Sequence, residues 1–141
     1  MDMNIRYLGA KKFEATSRGH RIVSDQPLDD CGSDAGMTAP ELYLASLGTC
    51  AGFYAAEYLN ARGLPSEDLE VRISAAKGEK PPRIVSISIE VVAPGLTKHH
   101  RDGILRAVDV CLLNNSLHFP PKLEVQVRST AEPPVEAIAA R

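Results

Sequence analysis

Cys50 stands inside the stretch GMTAPELYLASLGTCAGFYAAEYLNARG, two residues after Gly48 and two before Gly52. A thiol serves as nucleophile, metal ligand, disulfide partner or plain buried hydrophobe, and its neighbours decide which. An interior glycine costs a helix roughly 0.8 to 1 kcal/mol relative to alanine, so Gly48 and Gly52 need a compensating close contact. Four residues apart, they lie on one helix face and predict that another backbone approaches Cys50 there. Packing alone, with Cys50 as a small hydrophobe, explains the pattern equally well. Cys111, on the apolar side of GILRAVDVCLL, is the second inward-facing thiol, and Cys31, in the polar loop LDDCGSDAG, reads as an exposed thiol without a role.

The pattern predicts different electrostatics for the two inward thiols. Cys111 is expected near the C-terminal end of its helix, where the negative end of the dipole opposes a thiolate. Cys50, mid-helix, receives little from either pole. If one is the nucleophile it is Cys50, which then needs a cation to favour its thiolate, with Cys111 suited to act second.

Other cysteine chemistries fare worse. A cysteine hydrolase needs a histidine base, and His20, His99, His100 and His118 have no diagnostic context, although His118, before Pro120, is placed to approach the Cys111 end of a site. Cys31, Cys50 and Cys111 lack the local spacing of a metal site, so no metal is expected.

Turn clusters divide the chain into the elements that must position these residues. NIRYLGAKKFEAT and RGHRIVSDQP read as two short strands joined by Ser17, Arg18 and Gly19. Thr38 followed by Glu41 forms a capping box with Pro40 tolerated in the first turn, so a helix begins near Ala39. Gly63 and Pro65 stop it, a span of about 36 Å. DLEVRISAAKG and RIVSISIEVVAPG alternate as two antiparallel strands, TKHHRDGILRAVDVCLLNNSL is a second, amphipathic helix, and KLEVQVRST is a closing strand. The order ββ-α-ββ-α-β predicts an α+β fold in one domain over 1–141, with a poorly ordered tail at 132–141.

Composition narrows the function classes. With 141 residues, 44% hydrophobic and 24% charged, the chain is an ordinary globular sequence with enough material for a core. A net charge of −2 with both signs dispersed gives no field for nucleic acid. The N-terminus lacks a signal-peptide pattern and no run of about 18 apolar residues spans a bilayer, so neither membrane nor secretion is expected and the cytoplasm is. The first helix is apolar around most of its circumference, through Leu42, Leu44, Leu47, Ala51, Phe53 and Leu59. A helix of this kind is buried on several sides, which predicts a homodimer with this helix near the interface.

GMTAPELYLASLGTC resembles the central-helix motif of the OsmC/Ohr family, the osmotically inducible and organic hydroperoxide resistance proteins, and its spacing is closest to an OsmC-like branch. CLLNNSLHFPPKLEVQV resembles the family's second motif: a cysteine, then Asn-Ser, then proline and a closing strand. The resemblance runs from RGHRIVSD through KLEVQV. It implies antiparallel sheets around a long central buried helix, an intertwined homodimer with two interface sites, and peroxide reduction by thiols without metal or cofactor. Residue by residue, Cys50 matches the peroxidatic cysteine and Cys111 the resolving one, which implies a Cys50–Cys111 disulfide. The activating arginine matches Arg18, in the hairpin turn, or else Arg21 in the strand; Arg18 is favoured. Glu41 matches the glutamate that orients this arginine, although it also serves as the capping acid.

The implied partners are an organic hydroperoxide, preferred over hydrogen peroxide, and a dithiol reductant. The competing expectation is a non-catalytic protein of the same fold whose pocket holds a small apolar or thiol-containing ligand, because fold alone does not carry activity.

Overall fold

The computed structural model describes residues 1–129. It is an α+β fold of two antiparallel sheets and one long helix, in the order β1 (Asn4–Gly9), β2 (Lys12–Ser17), β3 (His20–Ser24), α1 (Ala39–Asn60), β4 (Glu70–Glu79), β5 (Pro82–Val92), α2 (Lys98–Asp109) and α3 (Leu112–His118). β1, β2 and β3 form one sheet in sequence order, and β4 pairs with β5 in the other. The expected tail at 132–141 lies outside the described residues.

The first expected strand is two strands. NIRYLGAKKFEAT folds back on itself at Gly9 and Ala10, both at positive φ, so that Tyr7 pairs with Phe13 and Asn4 with Thr16. The next turn is the expected one. Arg18 and Gly19 both have positive φ, at 51° and 81°. Two such residues between paired strands twist the chain the way a hairpin requires. Between β3 and α1, the loop is organised by Asp25, which is fully buried and accepts hydrogen bonds from Gln26 N–H, Ser33 N–H, Ser33 Oγ and Ala35 N–H at 2.7–3.1 Å.

α1 starts and stops as its sequence dictates. Thr38 Oγ1 accepts the Glu41 N–H while the Glu41 carboxylate accepts the Thr38 N–H at 2.7 Å, closing the capping box. At the other end Gly63 adopts φ 64°, and the Leu64 N–H turns back to the Leu59 carbonyl at 3.0 Å. The glycine pair faces β4. A Cβ on Gly52 would stand 3.3 Å from Val71 Cγ2, and one on Gly48 would stand 3.7 Å from Ile73 Cγ2. The close approach is therefore made by strand side chains and not by a second backbone.

In β5 the alternation changes phase. Ala76 pairs with Ser86 but Lys77 with Ile84, so Val85 is an extra residue. This bulge moves Ile84 to the same half-buried face as Ile87 and Ile89. The core lies where α1, α2 and the second sheet meet: Ala55, Tyr58, Leu59 and Ile104, flanked by Leu69, Val91 and Val108. Gly103 permits the α1–α2 contact, since a Cβ there would fall 2.1 Å from the Tyr58 hydroxyl.

Two sequence expectations are corrected. The single second helix is interrupted: α2 ends at Asp109, Val110 leaves helical geometry, and Cys111, with extended backbone, begins α3. The stretch from Lys122 to Ser129 is not a strand, because no other described segment pairs with it, and Leu123, Val125 and Val127 are 79–93% exposed. No described helix is long and apolar enough to cross a membrane.

Candidate functional site: two thiols beside an apolar cavity

Cys50 is delivered by the middle of α1, half-buried, with Tyr43 and Leu47 on the same helix face by their i, i+4, i+7 spacing. Cys111 is delivered by the break between α2 and α3 and is 2% exposed. Cys50 is near enough to Cys111 to act on its titration, and both cysteines are unbridged. Cys31 is apart from them, exposed in the first loop with φ 61°.

The break changes the electrostatics expected for Cys111. Its Sγ is not at the C-terminal pole of a helix but at the N-terminal end of α3, where it accepts the Asn114 N–H at 3.3 Å. Burial pushes the Cys111 thiol up. The backbone N–H groups of Asn114 and Leu113 oppose that, while Cys50, as hydrogen-bond partner and as a like charge, adds to it, and the net direction is upward. Cys111 is thus held as the neutral thiol, as expected, but by burial and by Cys50 and not by a helix pole.

A 380 Å³ cavity lies between α1, β5 and α3; its wall includes Leu47, one turn before Cys50, and Asn114, one turn after Cys111, but neither cysteine. Its walls include Leu47, Ile84, Ile87 and Leu117, with Tyr43, Asn114 and His118 as polar groups. Such a size and mostly apolar lining suit a small organic molecule. Tyr43 and Asn114 were not singled out from sequence as site residues. The signal for Asn114 was its place in NNSL after Cys111, and for Tyr43 its helical spacing from Cys50. His118 does reach this end of the site.

The other residues expected at the site lie elsewhere within the single chain. Arg18, at the β2–β3 turn, lines a surface hollow with Met1–Asn4 and His20. Arg21 is paired with Glu14 at 3.0 Å, and Glu14, nearly buried, is shared with Arg6 at 3.1 Å. The Glu41 carboxyl is held below the usual carboxylate range, mainly by the backbone N–H of Thr38, then by its hydroxyl. Glu41 precedes Cys50 by about two and a half turns, which places the two on opposite faces of α1. A second, wholly different cavity of 540 Å³ separates the three-stranded sheet from the first half of α1, bounded by Ile5, Phe13, Ile22, Leu42 and Thr49. Among the described residues, no group of three or more His, Cys, Asp or Glu converges as metal ligands would.

A long helix carrying one thiol, packed on antiparallel strands and met by a second thiol from a broken helix, defines a class of two-cysteine α+β proteins. The model of the OsmC-like protein family matches residues 32–126, and the chain belongs to that family. Solved structures agree in fold. A protein of Psychrobacter arcticus 273-4, described as an osmotic stress induced and detoxification response protein, superposes with a TM-score of 0.74 at 15% identity, covering 81% of this chain and 85% of that one. An organic hydroperoxide resistance protein OsmC of Legionella pneumophila gives 0.62 at 15% identity over 83% and 89% of the two chains. The organic hydroperoxide resistance protein OhrB of Bacillus subtilis gives 0.58 at 16% over 82% and 90%. No curated protein sequence matches.

Proposed function

We propose that this chain is a cysteine-based peroxidase that reduces organic hydroperoxides. The observation that carries the reading is the nearness of the Cys50 and Cys111 thiols, one delivered by α1 and the other by the break between α2 and α3. Relatives named for organic hydroperoxide resistance support a peroxide-related role.

In the reaction, the Cys50 thiolate attacks the terminal oxygen of the hydroperoxide. The O–O bond breaks, the alkoxide takes a proton and leaves as alcohol, and Cys50 becomes a sulfenic acid. The Cys111 sulfur then attacks the Cys50 sulfur, hydroxide is expelled and leaves as water with the thiol proton, and a disulfide remains. A dithiol reduces it by exchange and is itself oxidised. The cavity beside the thiols favours alkyl hydroperoxides over hydrogen peroxide, since each methylene buried adds about 0.8 kcal/mol of binding.

The active form in this reading is a homodimer in the cytoplasm. Its support is the apolar surface left open on one chain: Ile5, Tyr7, Phe13 and Ile22 on the first sheet, Phe53 on α1, and Leu123, Val125 and Val127 near the end of the described chain. Exposed apolar area on this scale marks an association surface. Arg18 supplies the charge that favours the Cys50 thiolate in the assembled dimer, while Arg21, with Arg6, is held by Glu14. Glu41 takes part by steadying the start of α1 and, in the dimer, by orienting Arg18.

Titration of free thiols before and after one equivalent of tert-butyl hydroperoxide tests the reading. Loss of two thiols per chain within seconds is expected. A ligand-binding protein without catalysis would lose none.

A further inference from the structure

The break between α2 and α3 is held by two adjacent asparagines that reach backwards in the same way. Asn114 Nδ2 donates to the Asp109 carbonyl at 2.9 Å and to Asp109 Oδ1 at 3.3 Å, and Asn115 Nδ2 donates to the Val110 carbonyl at 3.1 Å. Each spans five residues. The last carbonyls of a helix have no partner within it, so these side chains satisfy the end of α2 and at the same time tie α3 to it. Cys111 sits inside this tie. The same Asn114 whose side chain grips Asp109 gives its backbone N–H to Cys111 Sγ. No glycine or proline in VDVCLLNNS forces the break; the β-branched and polar residues before Cys111 only weaken the helix there.

We infer that Asn114 is a positioning residue for the resolution step: its side-chain clamp on Asp109 fixes the turn that aims Cys111 Sγ at Cys50. This rests on the peroxidase reading above and assigns a residue to its second half-reaction. Attack on a sulfenic sulfur is directional and its rate falls steeply with misplacement of the nucleophile, whereas attack of Cys50 on peroxide does not involve Cys111. Loss of the clamp therefore separates the two steps. It slows formation of the disulfide more than oxidation of Cys50.

The test uses the reduced full-length protein, with Asn114→Ala and the near-isosteric Asn114→Asp, which removes the donor and sets a carboxylate against Asp109. Ser116→Ala, whose hydroxyl bonds only within α3 at Leu112 O, is the control. After one equivalent of tert-butyl hydroperoxide, rapid-quench mass spectrometry follows the Cys50 sulfenic acid, trapped with dimedone, and the disulfide. Both Asn114 variants are expected to close the disulfide from the sulfenic acid about tenfold more slowly, a larger change than any in sulfenic acid formation, which also reads the place of Asn114 in the cavity wall, while Ser116→Ala behaves as wild type. Equal slowing of both steps, or closure at the wild-type rate, overturns the inference. A parallel arm replaces peroxide by diamide, which drives dithiols to disulfides without a sulfenic acid. Closure by diamide that is slowed in both Asn114 variants upholds the clamp even if peroxide leaves wild-type Cys50 untouched, an outcome that would reject the peroxidase reading alone. Unslowed closure by diamide overturns it in either case.

Discussion

Cys50 and Cys111 stand near enough for one to act on the titration of the other, although one comes from the middle of a 22-residue helix and the other from the break between two later ones. Their environments differ in the sense that a division of labour requires, since Cys50 is half-buried and open to a partner while Cys111 is buried and held as a thiol. Cys50→Ser is expected to abolish peroxide consumption. Cys111→Ser should consume one equivalent, stop, and accumulate a sulfenic acid that dimedone traps. In the wild type, closure of the disulfide should accelerate as pH rises through the elevated titration of Cys111, because the attacking species is the thiolate. A pH-independent closure rate would place the resolving step elsewhere.

Arg18 and Arg21 are separated by their partners. Arg21 is held in place by Glu14, which it shares with Arg6, so Arg18→Ala should slow alkylation of Cys50 by iodoacetamide at neutral pH about tenfold or more, given the one to three pKa units that an adjacent opposite charge contributes. Arg21→Ala should leave that rate unchanged. Arg18 lies at positive φ, so Arg18→Asn serves as a second variant that keeps the turn while removing the charge. If Arg21→Ala slows alkylation and Arg18→Ala does not, the roles reverse.

The contact of Gly103 with Tyr58 sets the spacing of α1 and α2 beneath the site. Gly103→Ala should destabilise by about 1–3 kcal/mol through overpacking, read as a lower urea midpoint with an unchanged slope. The gain in helix propensity from alanine would otherwise act in the opposite direction. In a double-mutant cycle with Tyr58→Leu the two effects should be non-additive, because the clash is with the Tyr58 ring and hydroxyl.

Much of this arrangement was readable from residue types. Thr38 and Glu41 marked the start of α1 because a capping box is a local interaction, and Gly63 marked its end because only a left-handed residue closes a helix that way. The thiol pair followed from the apolar faces of two segments. What escaped depended on contacts that no local pattern encodes. The turn at Gly9–Ala10 lacks strong punctuation, and the phase change at Val85 is a bulge set by pairing with β4. The break at Val110–Cys111 occurs in a run with neither glycine nor proline to mark it and is held by Asn114 and Asn115 from the far side. KLEVQVR alternates as a strand should, yet an alternating pattern does not supply the neighbour with which to pair. Arg18 and Glu41 stand apart from Cys50 within one chain, and in the dimer proposed above a site assembled between chains would not be legible in the spacing of either.

Asp25 predicts the acid response of the loop that leads into α1. Burial alone would raise its carboxyl, but hydrogen bonds from Ser33, Ala35 and Gln26 outweigh this and hold it at about 2, below the ordinary 3.8. The ionised carboxylate therefore stabilises the fold above about pH 4, and that contribution fades as pH falls through the lowered value. Asp25→Asn, which faces donors with an amide group, should show a lower urea midpoint than wild type at about pH 5, and the difference should shrink as pH falls toward 2. A constant difference across that range would mean that the charge of Asp25 is not what the loop uses.

The central claim is that Cys50 and Cys111 form one redox unit. Peptide mass mapping of the protein after one equivalent of tert-butyl hydroperoxide, with free thiols blocked at quench, reads it directly. The expected product is a Cys50–Cys111 disulfide within one chain, with Cys31 reduced and alkylated. Protein in which Cys50 and Cys111 are both recovered as alkylated thiols while Cys31 alone is oxidised would contradict the claim and leave a ligand-binding member of the family in its place.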